Sequence, residues 1–268
     1  MDAQPAKSID ASRVSRLRST IDRATGLLAC LFLWIAMLLA AQALREAFAF
    51  VPGFVPWNGE SPSSFLACVA SAATLAVLAI VLMVTAGSAS PRALAGRVVA
   101  GAGLRLPASR REMGRWAAVG LVAALALWAA AELVVNVPGL TAVPPGEDPR
   151  HIALAQMSTT GRVCYGLIAP APLEELLFRG PLLALWLALI AARRRDRWVA
   201  RRRVQWSLMA TAVGISLAVF AAGHTVGGTV NVVHAAVNAL IATGITLWQR
   251  SLFPALAAHG LYDAWAFA

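Results

Sequence analysis

Eight ionisable residues stand inside otherwise apolar stretches of the chain: Glu132, Glu174, Glu175, Arg179, His224, His234, His259 and Asp263. Each is costly in an apolar surrounding and needs a partner or a task. Six of them form three compact groups in the C-terminal half. The first is Glu174-Glu175-x-x-x-Arg179. On a helix Glu175 and Arg179 face each other as an ion pair, while Glu174 lies about 100° round the axis. Two carboxylates with one guanidinium leave one carboxylate unpaired, and an unpaired carboxylate in a dry site suits a general base. The same residues would also serve as a clamp between helices, although buried ion pairs are poor stabilisers. The second group is Phe220-x-x-x-His224. The third is His259-x-x-x-Asp263, whose carboxylate can orient the imidazole. Histidine and glutamate together can activate a water or bind a metal through oxygen and nitrogen. Glu174, His224 and His259 are the metal-ligand candidates, and Zn²⁺ is the ion such a set would suit. The motifs hold no third histidine and no HExxH, which speaks against the usual zinc protease site.

Two residues need separating from these groups. His234-x-x-x-Asn238 also reads HxxxN, only ten residues after His224. It is read as an interior histidine that can face the same cavity, with His259 and Asp263 as the third motif. Glu132 stands alone near the end of its apolar run and can snorkel.

The elements that must position these residues follow from composition. Hydrophobic residues make up 59% of the 268, charged residues 13%, and mean hydropathy is +0.68. Soluble domains carry about 25% charged residues, so this chain cannot cover a soluble globule, and it is too apolar to be disordered. The fold class is all-α: a polytopic integral membrane helix bundle with about seven to eight transmembrane helices. Apolar spans are expected at Ala24–Ala43, Ser64–Ala86, Trp116–Val135, Leu173–Ala192, Trp206–Ala222, Val230–Trp248 and Leu252–Phe267, each near the roughly 20 residues a crossing needs. The segment His151–Pro172 is expected to be an interfacial or partly embedded helix, with Pro172 in the first turn of the next span. A net charge of +10 in so apolar a chain does not point to nucleic acid. It is held in polar segments that orient the spans, and the run Arg193, Arg194, Arg195, Arg197, Arg201, Arg202 and Arg203 can also meet anionic lipid. With His151–Pro172 not crossing, the basic segments fall on the side of the N-terminus, so the N-terminus is placed in the cytoplasm. Residues 1–23 form a polar tail, 24–150 an N-terminal membrane region of about three helices, and 151–268 the domain that carries the motifs. Cys30, Cys68 and Cys164 read as small interior residues rather than disulfides or ligands.

The order EExxxR, FxxxH, HxxxD on apolar helices resembles the CPBP family. These are membrane proteases related to the type II CAAX prenyl endopeptidase, also called the Abi or bacteriocin self-immunity family. The flanks agree: Pro172-Leu173-Glu174-Glu175-Leu176-Leu177-Phe178-Arg179-Gly180 is similar to the first family motif, and Arg250-Ser251-Leu252-Phe253-Pro254-Ala255-Leu256-Ala257-Ala258-His259 to the approach to the last histidine. The resemblance runs from Gly161 to the C-terminus. It implies an intramembrane endopeptidase in which Glu174 and His224 activate the attacking water. Glu175 and Arg179 are then the supporting pair, Phe220 walls the pocket, and His259 with Asp263 stabilises the oxyanion. An oxyanion needs donors, so Asp263 either holds His259 as a donor or is itself protonated. The family leaves metal dependence open. Implied partners are membrane lipids and a peptide or lipidated protein substrate. The Ala- and Arg-rich composition suggests a bacterial cytoplasmic membrane, where bacteriocin or pheromone peptides suit as well as prenylated ones. Two other readings use the same residues: a proton- or cation-coupled transporter subunit, and a non-catalytic membrane scaffold.

One spatial demand follows. His224 lies some 30 Å from the basic end of its span, whereas His259 follows Arg250 by nine residues, about 14 Å of helix. If the motifs meet, either the Arg250–Pro254 turn dips into the apolar layer or the span limits shift.

Overall fold

A computed structural model of the chain describes residues 11–47, 62–85, 96, 99–144, 146–192 and 202–268. The expected basic residues Lys7, Arg92, Arg97, Arg193, Arg194, Arg195, Arg197 and Arg201 and nearly all of the Pro52–Pro62 loop lie outside the described residues. Every regular element among the described residues is helical. They are α1 (Ala11–Glu46), α2 (Pro62–Thr85), α3 (Arg110–Val135), α4 (Pro149–Ala155), α5 (Thr159–Ile168), α6 (Pro170–Phe178), α7 (Gly180–Ala192), α8 (Arg202–Ala222), α9 (Gly228–Gln249) and α10 (Phe253–Phe267). A 3₁₀ turn at Thr225–Gly227 joins α8 to α9. Among the described residues, three runs are long and apolar enough to cross a membrane: Arg110–Val135, Arg202–Ala222 and Thr225–Gln249. Their outward faces are apolar, with Val122 66%, Trp206 65% and Trp248 69% exposed, as a lipid-facing surface requires.

Several expected spans change shape. The first begins at Ala11, so residues 11–23 of the polar tail are helical and continuous with the apolar run. The expected single span Leu173–Ala192 is broken at Arg179 into α6 and α7. Pro181 supplies the physical cause, since it offers no N–H to the ladder and crowds the preceding turn. Gly180 sits against the ring of Trp34 on α1, where a Cβ would collide. The segment His151–Pro172 contains α4 and α5 rather than one helix, and α5 passes into α6 through the shared end residue Ala169. Pro170 and Pro172 both fall in the first turn of α6, where missing N–H groups cost nothing.

The core of the C-terminal region is α10, packed against α3, α5, α6 and α9. Glycine makes this possible. A Cβ on Gly166 of α5 would lie 2.5 Å from the backbone of Ala264, and one on Gly260 of α10 2.5 Å from the Leu167 carbonyl. The two helices therefore touch backbone to backbone, as small-residue membrane contacts do. The turn before α10 is buried: Ser251 and Leu252 are 0% exposed. The Leu252 amide (2.8 Å) and the Ser251 hydroxyl (3.3 Å) both donate to the Gly103 carbonyl. The turn is thus covered by residues 99–105.

Candidate active site

The break at Arg179 and the buried turn together set the site. α6 presents Glu174 and Glu175 on different faces, as the helical period requires. Glu175 is fully buried, while the Glu174 side chain keeps 28% of its surface open. The Glu174 surface lines a cavity of about 330 Å³ that also takes in His224, His259 and Asp263. The three motifs thus meet in one space.

Each imidazole is held by a different rule. His224 sits just past the end of α8, and its Nδ1–H donates to the Phe220 carbonyl at 2.7 Å. That bond fixes the tautomer and leaves Nε2 as a lone pair. The backbone of His224 is pinned as well. Asn231 donates its side-chain N–H to the His224 carbonyl at 2.7 Å. The strand-like stretch Thr141–Val143 bonds Gly227 and Val230. Gly228, with φ +83°, presses against Thr141 so closely that no side chain would fit.

His259 is buried among carboxylates. Its Nδ1 donates to Glu175 Oε1 at 2.9 Å. Its Nε2 lies 3.3 Å from Asp263 Oδ2 and 3.7 Å from Glu174 Oε2. Both ring nitrogens face carboxylate oxygens, so a lone pair on either would meet another lone pair. The arrangement calls for an imidazole protonated at both nitrogens, or for one protonated carboxyl. Arg179 adds the second positive charge, 3.4 Å from Glu175 Oε1. Counted as ionised groups, three carboxylates face one guanidinium and one imidazolium, which leaves one negative charge over. Glu175 is held from both sides. Glu174 Oε2 has no hydrogen-bond partner in the protein.

Phe220 does not line the cavity. It is 2% exposed and stands behind the wall, with Arg179 over its ring at 4.2 Å and His224 against it at 4.5 Å. The expected wall is therefore a backing that holds Arg179 and His224 in place. As for the metal candidates, no three His, Cys, Asp or Glu side chains among the described residues are disposed to hold an ion, and Glu174, His224 and His259 do not form such a group. His259 in particular spends both ring nitrogens on carboxylates.

The cavity also holds residues that the three motifs do not name. His234 and Asn238 line it, and their HxxxN spacing was the available signal. Arg150 and His151 of α4 line it too. They sit in the first turn of α4, and nothing in their spacing marked them. Glu132 stays outside it, at the end of α3, with its carbonyl bonded by Asn136.

No curated protein matches the chain, and neither does any solved structure. One family model does match, over residues 156–265, described as Type II CAAX prenyl endopeptidase Rce1-like. The matched stretch runs from just before α5 almost to the end of α10 and contains every residue of the three motifs. Over that stretch, from Gln156 to Trp265, the chain is similar to the Rce1-like type II CAAX prenyl endopeptidases.

Proposed function

We propose that the chain is an intramembrane endopeptidase that cleaves a peptide bond close to the membrane, with Glu174 as general base. One observation carries this reading. Among the three carboxylates around His259, Glu174 combines a partner-free oxygen with an open side chain, 28% against 0% for Glu175 and 11% for Asp263. A water between Glu174 and the Nε2 lone pair of His224 gives its proton to Glu174. Its oxygen attacks the carbonyl carbon, and the carbonyl electron pair moves onto oxygen. The positive charge of His259, protonated at both nitrogens and held by Asp263 and Glu175, stabilises that oxyanion electrostatically. The tetrahedral species collapses with cleavage of the C–N bond, and the proton held by Glu174 passes to the leaving amine. Glu175 and Arg179 touch neither water nor substrate. They balance the charge of His259 and hold α6.

The family name supplies the substrate class: a peptide or lipidated protein end presented at the membrane, prenylated or not. The three long apolar helices agree with an integral membrane protein. About seven crossings with a cytoplasmic N-terminus would complete the topology. The transporter and scaffold readings have no comparable support, since the matched family is one of peptidases.

The test is a peptidase assay on purified chain in detergent, with a library of prenylated and unlipidated peptides. Wild type, Glu174→Gln and His224→Ala are compared, each with and without chelator. Cleavage by wild type alone supports the assignment, and the chelator arms report metal dependence directly. Equal cleavage by all three would sink it.

A further inference from the structure

The HxxxN pair on α9 has a place in the cavity that the hydrolytic chemistry does not use. His234 and Asn238 are one turn apart, on the same wall of the cavity as each other. The His234 ring is fixed from two sides. It packs on Tyr262 at 4.8 Å, and its other ring nitrogen faces the Leu127 carbonyl of α3. A carbonyl only accepts, so the nitrogen facing it carries the proton. Nε2 is left as a lone pair, buried and without a protein partner. Asn238 is 5% exposed, and its side-chain oxygen is likewise buried and without a partner. Two unmatched acceptors four residues apart are costly in an apolar bundle. As the amide is oriented, both of these atoms accept, so they do not satisfy each other.

We infer that His234 Nε2 and Asn238 Oδ1 form an acceptor subsite for backbone N–H groups of an extended peptide. Two acceptor atoms favour N–H donors over an anion, which would place lone pair against lone pair. An extended chain offers N–H donors at regular spacing, and it would run from this wall towards Glu174 in the same cavity. The two residues position substrate and take no part in bond making. This inference rests on the peptidase reading, which supplies the peptide.

The experiment reads binding and cleavage separately. Glu174→Gln chain in detergent is titrated with octapeptides, with and without a prenyl-cysteine. The tightest binder is then N-methylated one amide at a time. At one or two positions the lost N–H should weaken binding about tenfold, the usual scale for a buried hydrogen bond. In Glu174→Gln/His234→Phe, which keeps the ring on Tyr262 but has no acceptor, that penalty should vanish at one position. Asn238→Leu should remove it at the other. In the chain with Glu174 intact, His234→Phe should raise KM about tenfold with kcat nearly unchanged. Melting curves within a few degrees of the parent show that the variants fold. If the penalties persist in both variants, the subsite is wrong whether or not the wild type cleaves. If the penalties vanish but the wild type cuts nothing, the subsite stands and the peptidase reading falls. If no peptide binds, both fall.

Discussion

Two polar clusters lie at opposite ends of α9, and they are finished differently. At its C-terminal end Arg105 donates to Glu112 Oε1 (2.6 Å), to the Arg250 carbonyl (3.3 Å) and to the Gln249 carbonyl (3.4 Å), and it lies over Trp116 at 4.8 Å. Glu112 caps its own helix by accepting the Ala108 amide with its other oxygen. The Arg105 cluster closes a turn, and its charged groups find partners within the protein, although the Trp116 ring N–H beneath Arg105 has none. The cavity end is left open. Glu174 Oε2, Glu175 Oε2, His234 Nε2 and Asn238 Oδ1 are buried there without partners. A structural cluster is stable when its groups are matched, whereas a site must keep some unmatched for what it binds. That contrast separates the arginine that holds the fold from the carboxylate proposed to work.

The largest effect tests that separation directly. Glu174→Gln keeps shape and removes the base, so turnover should fall by about 10²–10⁴-fold, roughly 3–5 kcal/mol of barrier. Melting temperature should stay within a few degrees of wild type. If the variant melts far below the parent, Glu174 is a structural residue and the contrast fails. The next effect comes from its neighbour. Arg179→Leu strands Glu175 with one partner fewer in a fully buried position, and stability should drop by about 3–5 kcal/mol. Glu175→Gln combined with Arg179→Met should recover most of that loss, because replacing both partners of a buried pair is far cheaper than removing one. Denaturant titration in mixed micelles reads both variants.

Much of this site was legible from spacing. The adjacent glutamates had to face different spaces, and they do: one is buried and the other opens to the cavity. The i,i+4 pairs Phe220/His224 and His259/Asp263 had to touch, and they do so at 4.5 and 3.3 Å. What spacing hid was tertiary. The break at Arg179 lies inside one continuous apolar run, where hydropathy reads straight through Gly180-Pro181. That Arg179 lies over the ring of Phe220, 41 positions away in the chain, depends on how α8 packs, not on either motif. The buried Arg250–Leu252 turn needs the Gly103 carbonyl as its acceptor, and nothing local to the turn announces it. Hydropathy also could not rank the spans. α10, at 15 residues, is shorter than the roughly 20 a full crossing takes, and it starts from inside the bundle.

At the matched end of α9 smaller effects are expected. Arg105→Ala removes three bonds and the cover over Trp116, but Arg105 is one-third exposed and water replaces part of the loss. Stability should fall by about 1–2 kcal/mol, with kcat changed less than threefold. A tenfold fall in kcat would mean that the buried turn before α10 transmits strain to His259, and the two clusters would then be one machine.

The smallest effect lies at the rim of the cavity and is set by pH. Asp148 caps α4 by accepting the Arg150 amide at 2.9 Å, and it also holds the Arg150 guanidinium at 2.8 Å. Burial opposes its charge, but the hydrogen bonds and charge of Arg150 prevail and hold the carboxyl below its ordinary range. The sign follows from linkage. A carboxyl that is more acidic folded than unfolded contributes its stability above the unfolded value, about 3.9. That contribution fades as pH falls through the folded value. Asp148→Asn keeps the cap, since Asn caps as well as Asp, and removes only the charge. Wild type should therefore melt above Asp148→Asn between pH 5 and 7, by a degree or two on the scale of a partly exposed ion pair. The gap should close as pH drops below about 4. Equal melting of the two across that range would assign Asp148 to capping alone.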